Sequence, residues 1–296
     1  MLRQVCTALL AVLVVGGCSG GSDGSDGSSS PTQSSAPAGT ASASPFPAAT
    51  TPRPVVPAAP RRTACYRLAP WQLTRPTNGS EPVPCDSPHT ARTIHVGTLD
   101  TVVNGHSVAV DSAHVQRQLA TTCPRELAAF VGGSARTRDL SRFAVVWFSP
   151  TLAQADRGAD WFRCDLVAFS GERSLLRLPR ETPGVRGVLD RPGALDTYGL
   201  CGTAAPGAKG FERVICGRPH SWEAFDTISL PGGRRYPGAD ALRDAGDEKC
   251  KSRAAARAED ALKFRYGWEW PTRGQWGTGR PELSCRPEGQ VAGTQQ

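Results

Sequence analysis

Two short segments put chemically capable residues in the same order: Cys85-Asp86-Ser87-Pro88-His89 and Cys216-Gly217-Arg218-Pro219-His220, both Cys-x-x-Pro-His. A histidine is the usual acid or base near neutral pH, and Cys with His can hold zinc. The spacing fits neither role. Cys-x-x-Pro-His lacks the second thiol of Cys-x-x-Cys and of the haem-attaching Cys-x-x-Cys-His. No Gly-x-Ser-x-Gly or His-Glu-x-x-His accompanies the imidazoles. Glu223 follows His220 by three positions, and on a strand that spacing sends the two side chains to opposite faces, which weakens a dyad. The reading is that His89 and His220 fix turns, with no catalytic residue, no metal and no cofactor.

The thiols carry more information. Ten cysteines are present, and setting aside Cys6 and Cys18 near the N-terminus leaves Cys65, Cys85, Cys123, Cys164, Cys201, Cys216, Cys250 and Cys285. An even number in an exported chain reads as disulfides. The first four are spaced by 20, 38 and 41 positions and the second four by 15, 34 and 35, which points to one module used twice. Pro150-Thr151, Gln154, Gly158 and Cys164 match Pro271-Thr272, Gln275, Gly279 and Cys285 at identical offsets.

Elements that would position these cysteines follow from periodicity. In the first module Thr93 to Leu99 alternates as a strand, and Val115, Leu119, Cys123, Leu127 and Val131 recur every four residues as a helix stripe facing the core. Pro124 inside that pattern predicts a kink or a restart. Strands are expected at Phe143–Phe148 and Trp161–Phe169. The second module repeats the scheme: Val214-Ile215-Cys216, a strand near Phe225–Leu230, and a Pro237-initiated helix with Leu242, Gly246, Cys250 and Ala254 four apart. Strands at Phe264–Trp270 and Leu283–Cys285 follow. A cysteine on the inward stripe of each helix and another on the last strand favour Cys123–Cys164 and Cys250–Cys285, with Cys65–Cys85 and Cys201–Cys216 closing the opening hairpins. Four cysteines allow three connectivities per module, so the spacing leaves the choice open.

The expected fold is therefore α+β, two tandem disulfide-braced modules, each a small, mostly antiparallel sheet packed on one main helix. They occupy residues 63–170 and 197–287, with an Arg-, Pro- and Gly-rich linker at 171–196 and a loose tail at 288–296. Upstream, Arg3 and an apolar run ending in Leu9–Val15 form a signal peptide over 1–17, too short to span a bilayer. Val15-Gly16-Gly17-Cys18 resembles a bacterial lipobox, which makes Cys18 the site of lipidation, including palmitate. Residues 18–62 are almost wholly Ser, Gly, Pro, Ala and Thr after the cysteine, a tether of roughly 35–40 Å on average.

The net charge is +7, yet only Lys209, Lys249, Lys251 and Lys263 are lysines, and no basic block or basic-aromatic platform marks a nucleic-acid site. Among the aromatics, Trp268 and Trp270 share a strand face and read as core. Trp276, in Arg-Gly-Gln-Trp-Gly-Thr-Gly, is the candidate for binding a partner. Asn78-Gly79-Ser80 reads as a turn.

The second module, over about 197–286, resembles the actinobacterial septum-formation domain family. The likeness rests on Cys216, Pro219, His220 and Glu223, on Tyr236-Pro237-Gly238 before the helix, and on the internal and closing cysteines. The first module shares Cys85, Pro88 and His89 but has Arg92 where Glu223 stands and lacks the Tyr-Pro-Gly. The resemblance implies a membrane-tethered envelope protein associated with division and brings no catalytic activity.

The expectation is a non-enzymatic lipoprotein at the extracytoplasmic face of the cell membrane, binding or scaffolding an envelope protein partner. The competing readings are a binder of anionic wall polymer or glycan through Trp276, and a wall hydrolase built on His220. Because the tether separates attachment from the modules, Cys18→Ser should move the protein from the membrane to the soluble fraction with its other disulfides formed. Fractionation with thiol titration checks this, and retention of the variant in the membrane would remove the lipid anchor.

Overall fold

The computed structural model describes residues 55–180, 184–229, 235–271 and 273, with backbone alone for Ser229 and 282–287. The chain divides into Met1–Pro52 and Arg53–Gln296, and every described residue belongs to the second unit. The expected signal peptide, Cys18, most of the tether, Trp276, the Cys285 side chain and the tail lie outside the described residues.

In chain order the first elements are β1 (Cys65–Tyr66), β2 (Ala91–Thr98), β3 (Val102–Val103), β4 (His106–Ser107), α1 (Ala113–Val131), α2 (Ala135–Asp139), β5 (Phe143–Phe148), α3 (Leu152–Ala155), β6 (Trp161–Gly171) and β7 (Ser174–Leu175). They are followed by α4 (Ala194–Tyr198), β8 (Leu200–Gly202), β9 (Arg213–Ile215), β10 (Trp222–Glu223), β11 (Asp226–Ser229), α5 (Ala239–Ala255), β12 (Tyr266–Glu269) and β13 (Glu282–Pro287). Every described strand pair is antiparallel.

The largest sheet runs β1-β2-β6-β5, with β7 added to β6. Period-two alternation sends Phe162, Cys164, Leu166 and Ala168 of β6 to one face, where they meet α1 through Val115, Leu119, Cys123, Phe130 and Val131. The opposite face, with Val167, Ala91 and Phe148, is covered by Ala64, Tyr66 and Leu68. Two disulfides hold these covers in place. Cys123–Cys164, with Cα atoms 5.4 Å apart, ties α1 to the middle of the sheet, and Cys65–Cys85, at 5.3 Å, closes the segment over the far face.

α1 starts where the Ser112 hydroxyl accepts from the Val115 amide, and it runs through Pro124 without a restart. Pro124 and Ala120, whose carbonyl the proline cannot satisfy, both lie on the exposed side, so water can serve that carbonyl. The helix ends at Gly132 and Gly133, both at positive φ, and a Cβ on Gly132 would collide with the Asp190 carboxylate. The β3–β4 hairpin was not anticipated from the sequence; its signal is Asn104-Gly105, at φ 51° and 79°, the pair that two-residue hairpin turns demand.

A second small sheet, β10-β8-β9, carries Cys201–Cys216 across a hairpin, and a third runs β11-β13-β12. α5 packs Leu242, Cys250 and Ala254 against Phe225 and Ile228, with Tyr236, Phe264, Tyr266, Trp268 and Trp270 around them. Cys250 is disulfide-bonded, and its partner lies outside the described side chains; the Cys285 backbone sits between Asp226 and Trp268 in the register of the third sheet. The Tyr266 hydroxyl donates to Asp247 Oδ1 at 2.8 Å, and burial with that carboxylate pushes its pKa up to about 12.

Residues 171–196, read from composition as a linker, form a packed connection. Leu178, Val185, Val188 and Leu189 lie buried against Phe130, Val131 and Phe143. Downstream, the Arg142 amide donates to the Tyr198 carbonyl and the Leu200 amide to Leu140, both at 2.8 Å. Asp226, 5% exposed, is gripped by Arg136 at 2.9 Å and by Arg253. Among the described residues no helix is long and apolar enough to cross a membrane.

A bridge of sequence separation 41 restrains the unfolded chain by about 4 kcal/mol on the loop-entropy model. The double change Cys123→Ala/Cys164→Ala should lower unfolding free energy by about 3–4 kcal/mol in urea. A loss below about 1 kcal/mol would show that packing alone holds α1.

Candidate functional site

Both Cys-x-x-Pro-His segments are turns pinned by a disulfide. His89 Nδ1 lies 2.9 Å from the Ser87 carbonyl and His220 Nδ1 2.8 Å from the Arg218 carbonyl. A carbonyl only accepts, so each ring carries its proton on Nδ1 and donates it two residues back. The first turn is further fixed by Arg67 Nε donating to the Pro88 carbonyl at 2.9 Å and by the Leu178 amide donating to the His89 carbonyl, also at 2.9 Å. Their settings differ: His89 is 1% exposed and closed to any substrate, whereas His220 is half-buried at the surface. Pro219 is exposed. Glu223 sits in β10 opposite Cys201, and among the described residues no ion pair joins it to His220.

Arg92, at the position matching Glu223, lies in β2 and is 4% exposed, with Nε lacking a hydrogen-bond partner among the described residues. Its guanidinium and that of Arg186 stand 5.8 and 4.4 Å from the centre of the Phe130 ring. Burial, and then the like charge of Arg186, hold the Arg92 pKa below its usual value.

Under the segment closed by Cys65–Cys85 lies a buried polar cluster. Arg163 and Asp165, two apart on β6, share a face and are 3% and 0% exposed. Arg163 Nε comes within 3.0 Å of Asp165 Oδ2 but off the hydrogen-bonding axis, so this pair is a contact of charges and not an aligned bond. Aligned partners come from elsewhere: Thr93 Oγ1 donates to Asp165 Oδ1 at 2.8 Å, and Arg163 Nη2 donates to Asn78 Oδ1 at 3.0 Å. The guanidinium stacks on Tyr66 at 3.8 Å and faces Phe148 at 4.9 Å. Burial raises the Asp165 pKa, opposed by Arg163 and by the Thr93 bond, and burial likewise raises Tyr66.

The structure thus pairs Cys65 with Cys85, Cys123 with Cys164 and Cys201 with Cys216. Among the described residues the side-chain hydrogen bonds of His89 and His220 go to backbone carbonyls and not to a nucleophile. Trp222 is 4% exposed, while Trp268 and Trp270 are partly buried against the α5 core. Sequence reasoning missed the Arg163–Asp165 pair and the part played by Asn78. The available signal was an Arg and an Asp at spacing two in an otherwise apolar strand, Trp-Phe-Arg-Cys-Asp-Leu-Val-Ala-Phe.

Disulfide-braced antiparallel sheets with helices packed on them, and turns whose histidines meet backbone carbonyls, define a mixed α and β protein. Residues 71–285 match the family described as septum formation, and the chain belongs to that family. The match takes in β2, β5, β6 and β7 of the first sheet as well as the part after 197 in which the likeness is most legible. No curated protein and no solved structure matches the chain.

An acid whose pKa is raised on folding binds a proton more tightly in the native state. Between the unfolded value of about 3.9 and the higher folded value, stability is therefore lost as pH rises. The parent should accordingly lose stability relative to Asp165→Asn from about pH 4 to pH 7 in urea titrations. A difference that stays constant over that window would mean that the Asp165 pKa does not change on folding.

Proposed function

We propose that the chain is a lipoprotein held through Cys18 at the extracytoplasmic face of the membrane, where it serves septum formation as a non-enzymatic binding or scaffolding protein. One observation carries the reading: every cysteine whose side chain is described, seven in all, is disulfide-bonded. Such bonds form and persist in oxidising compartments, which accords with a leader ending in a lipobox. Membership of the septum-formation family points to division as the process served.

The shared connectivity supports two tandem modules. In one sheet β2 is followed by α1, and β6, last of its three main strands, lies between β2 and β5; β11, α5, β12 and β13 repeat that order. The turn histidines support a structural role, since each gives its Nδ1 proton to the backbone.

Crosslinking in the native envelope tests the proposal. Capture of one dominant envelope protein, lost when Cys18→Ser detaches the chain, is the expected result. Recovery of wall fragments alone would overturn the scaffolding role.

A further inference from the structure

A pocket of about 290 Å³ opens beside β9 and β12, lined by Glu172, Phe211, Arg213, Trp268, Glu269 and Trp270, with Pro206 and Gly207 at its wall. Glu172 comes from the turn between β6 and β7, so the pocket is assembled from segments about a hundred positions apart in sequence. Its volume lies at the foot of the roughly 300–1,000 Å³ range of small-molecule sites, which suits one ring or the end of a chain.

The wall chemistry narrows the ligand. Arg213 Nη2 stands 2.9 Å from Glu269 Oε1, and its Nη1 stands 4.0 Å from Glu172 Oε1. The two carboxylates repel an anion, and Arg213 offsets only one of them, so the wall offers acceptors from the carboxylates beside donors from the guanidinium, a pairing that hydroxyls meet and a bare cation does not. Three ionic groups exclude a purely apolar guest, because burying them without partners is costly. Phe211, Trp268 and Trp270 nevertheless offer aromatic surface. Arg243 stacks on Trp270 at 5.6 Å and steadies that ring.

A guest that is uncharged, apolar on its faces and ringed by hydroxyls answers every one of these features. Its C–H faces pack on the indoles, its hydroxyls donate to the carboxylates, and its oxygens accept from the guanidinium. We infer that this pocket is a saccharide site that takes an uncharged pyranose ring. The inference deepens the proposed binding role and rests on it only for where the ligand is met.

The test titrates the full chain with N-acetylglucosamine and its β-1,4-linked trimer, followed by tryptophan fluorescence and calorimetry. The acetamido group supplies a methyl for Phe211 and an N–H for a carboxylate. Saturable binding is expected, unchanged in strength when sodium chloride is raised, because no net charge is neutralised. Glu172→Gln, at a side chain 48% exposed and so without consequence for folding, should weaken trimer binding about fivefold. Trp270→Ala should weaken it about tenfold, with the thermal midpoint measured alongside. Absence of trimer binding, unchanged affinity in Glu172→Gln, or salt-sensitive binding of polyglycerol phosphate alone would overturn the assignment. Because this binding is measured in solution, its failure leaves membrane attachment and envelope crosslinking untouched.

Discussion

β6 is buried along nearly its whole length on both faces, and that single constraint sets the architecture around it. An antiparallel strand covered on one side alone could present polar residues to water on the other. Here each face requires its own lid, and each lid is locked by its own disulfide: α1 through Cys123–Cys164, and the segment around Tyr66 and Leu68 through Cys65–Cys85. Arg163 and Asp165 make the second lid specific. Two charges inside a protein are tolerable only when their remaining donors and acceptors are met, and Thr93, Asn78 and the rings of Tyr66 and Phe148 meet them. A hydrophobic lid of similar volume could cover the face equally well, but it would not fix which loop residues must sit where.

The third sheet solves a similar problem with fewer residues. β13 lies between β11 and β12, and α5 brings Cys250 and Leu242 to the core on one side. Where the first sheet buries both members of an ion pair, this part of the molecule brings partly exposed arginines onto covered carboxylates: Arg136 and Arg253 on Asp226, and Arg213 on Glu269. The Arg136–Asp226 contact joins α2 to β11, and the backbone bonds from Arg142 and Leu200 join the chain after α4 to the start of β5. The connection at 171–196 takes part in this packing through Val185, Val188 and Leu189.

Much of this was legible in residue spacing. The four-residue recurrence of Val115, Leu119 and Cys123 placed α1, and Phe143–Phe148 was bounded by its own apolar run. Composition misled at 171–196, because Arg, Pro and Gly dominate the count while Leu178, Val185, Val188 and Leu189 do the packing. At Pro124, where a kink or a restart was expected, the helix does not restart, and water can serve the exposed carbonyl that the proline leaves unmet. Long-range polar contacts were illegible. Thr93 and Asp165 are 72 positions apart, Asn78 and Arg163 are 85 apart, and no periodicity links them. The Glu172–Arg213–Glu269 grouping was hidden in the same way, since its members come from the β6–β7 turn, β9 and β12.

The position of β5 has a consequence for the life of the chain before folding. It is an outer strand of its sheet, and its six residues, Phe-Ala-Val-Val-Trp-Phe, carry no charge, no proline and no glycine. Such a segment has the composition that templates intermolecular strand pairing. In the native state its side chains are half-covered, in part by α1. A chain whose thiols are kept reduced forgoes the bond that secures this helix, so the aggregation hazard is greatest before oxidation. Solubility is thereby coupled to the redox state of the compartment in which the protein folds.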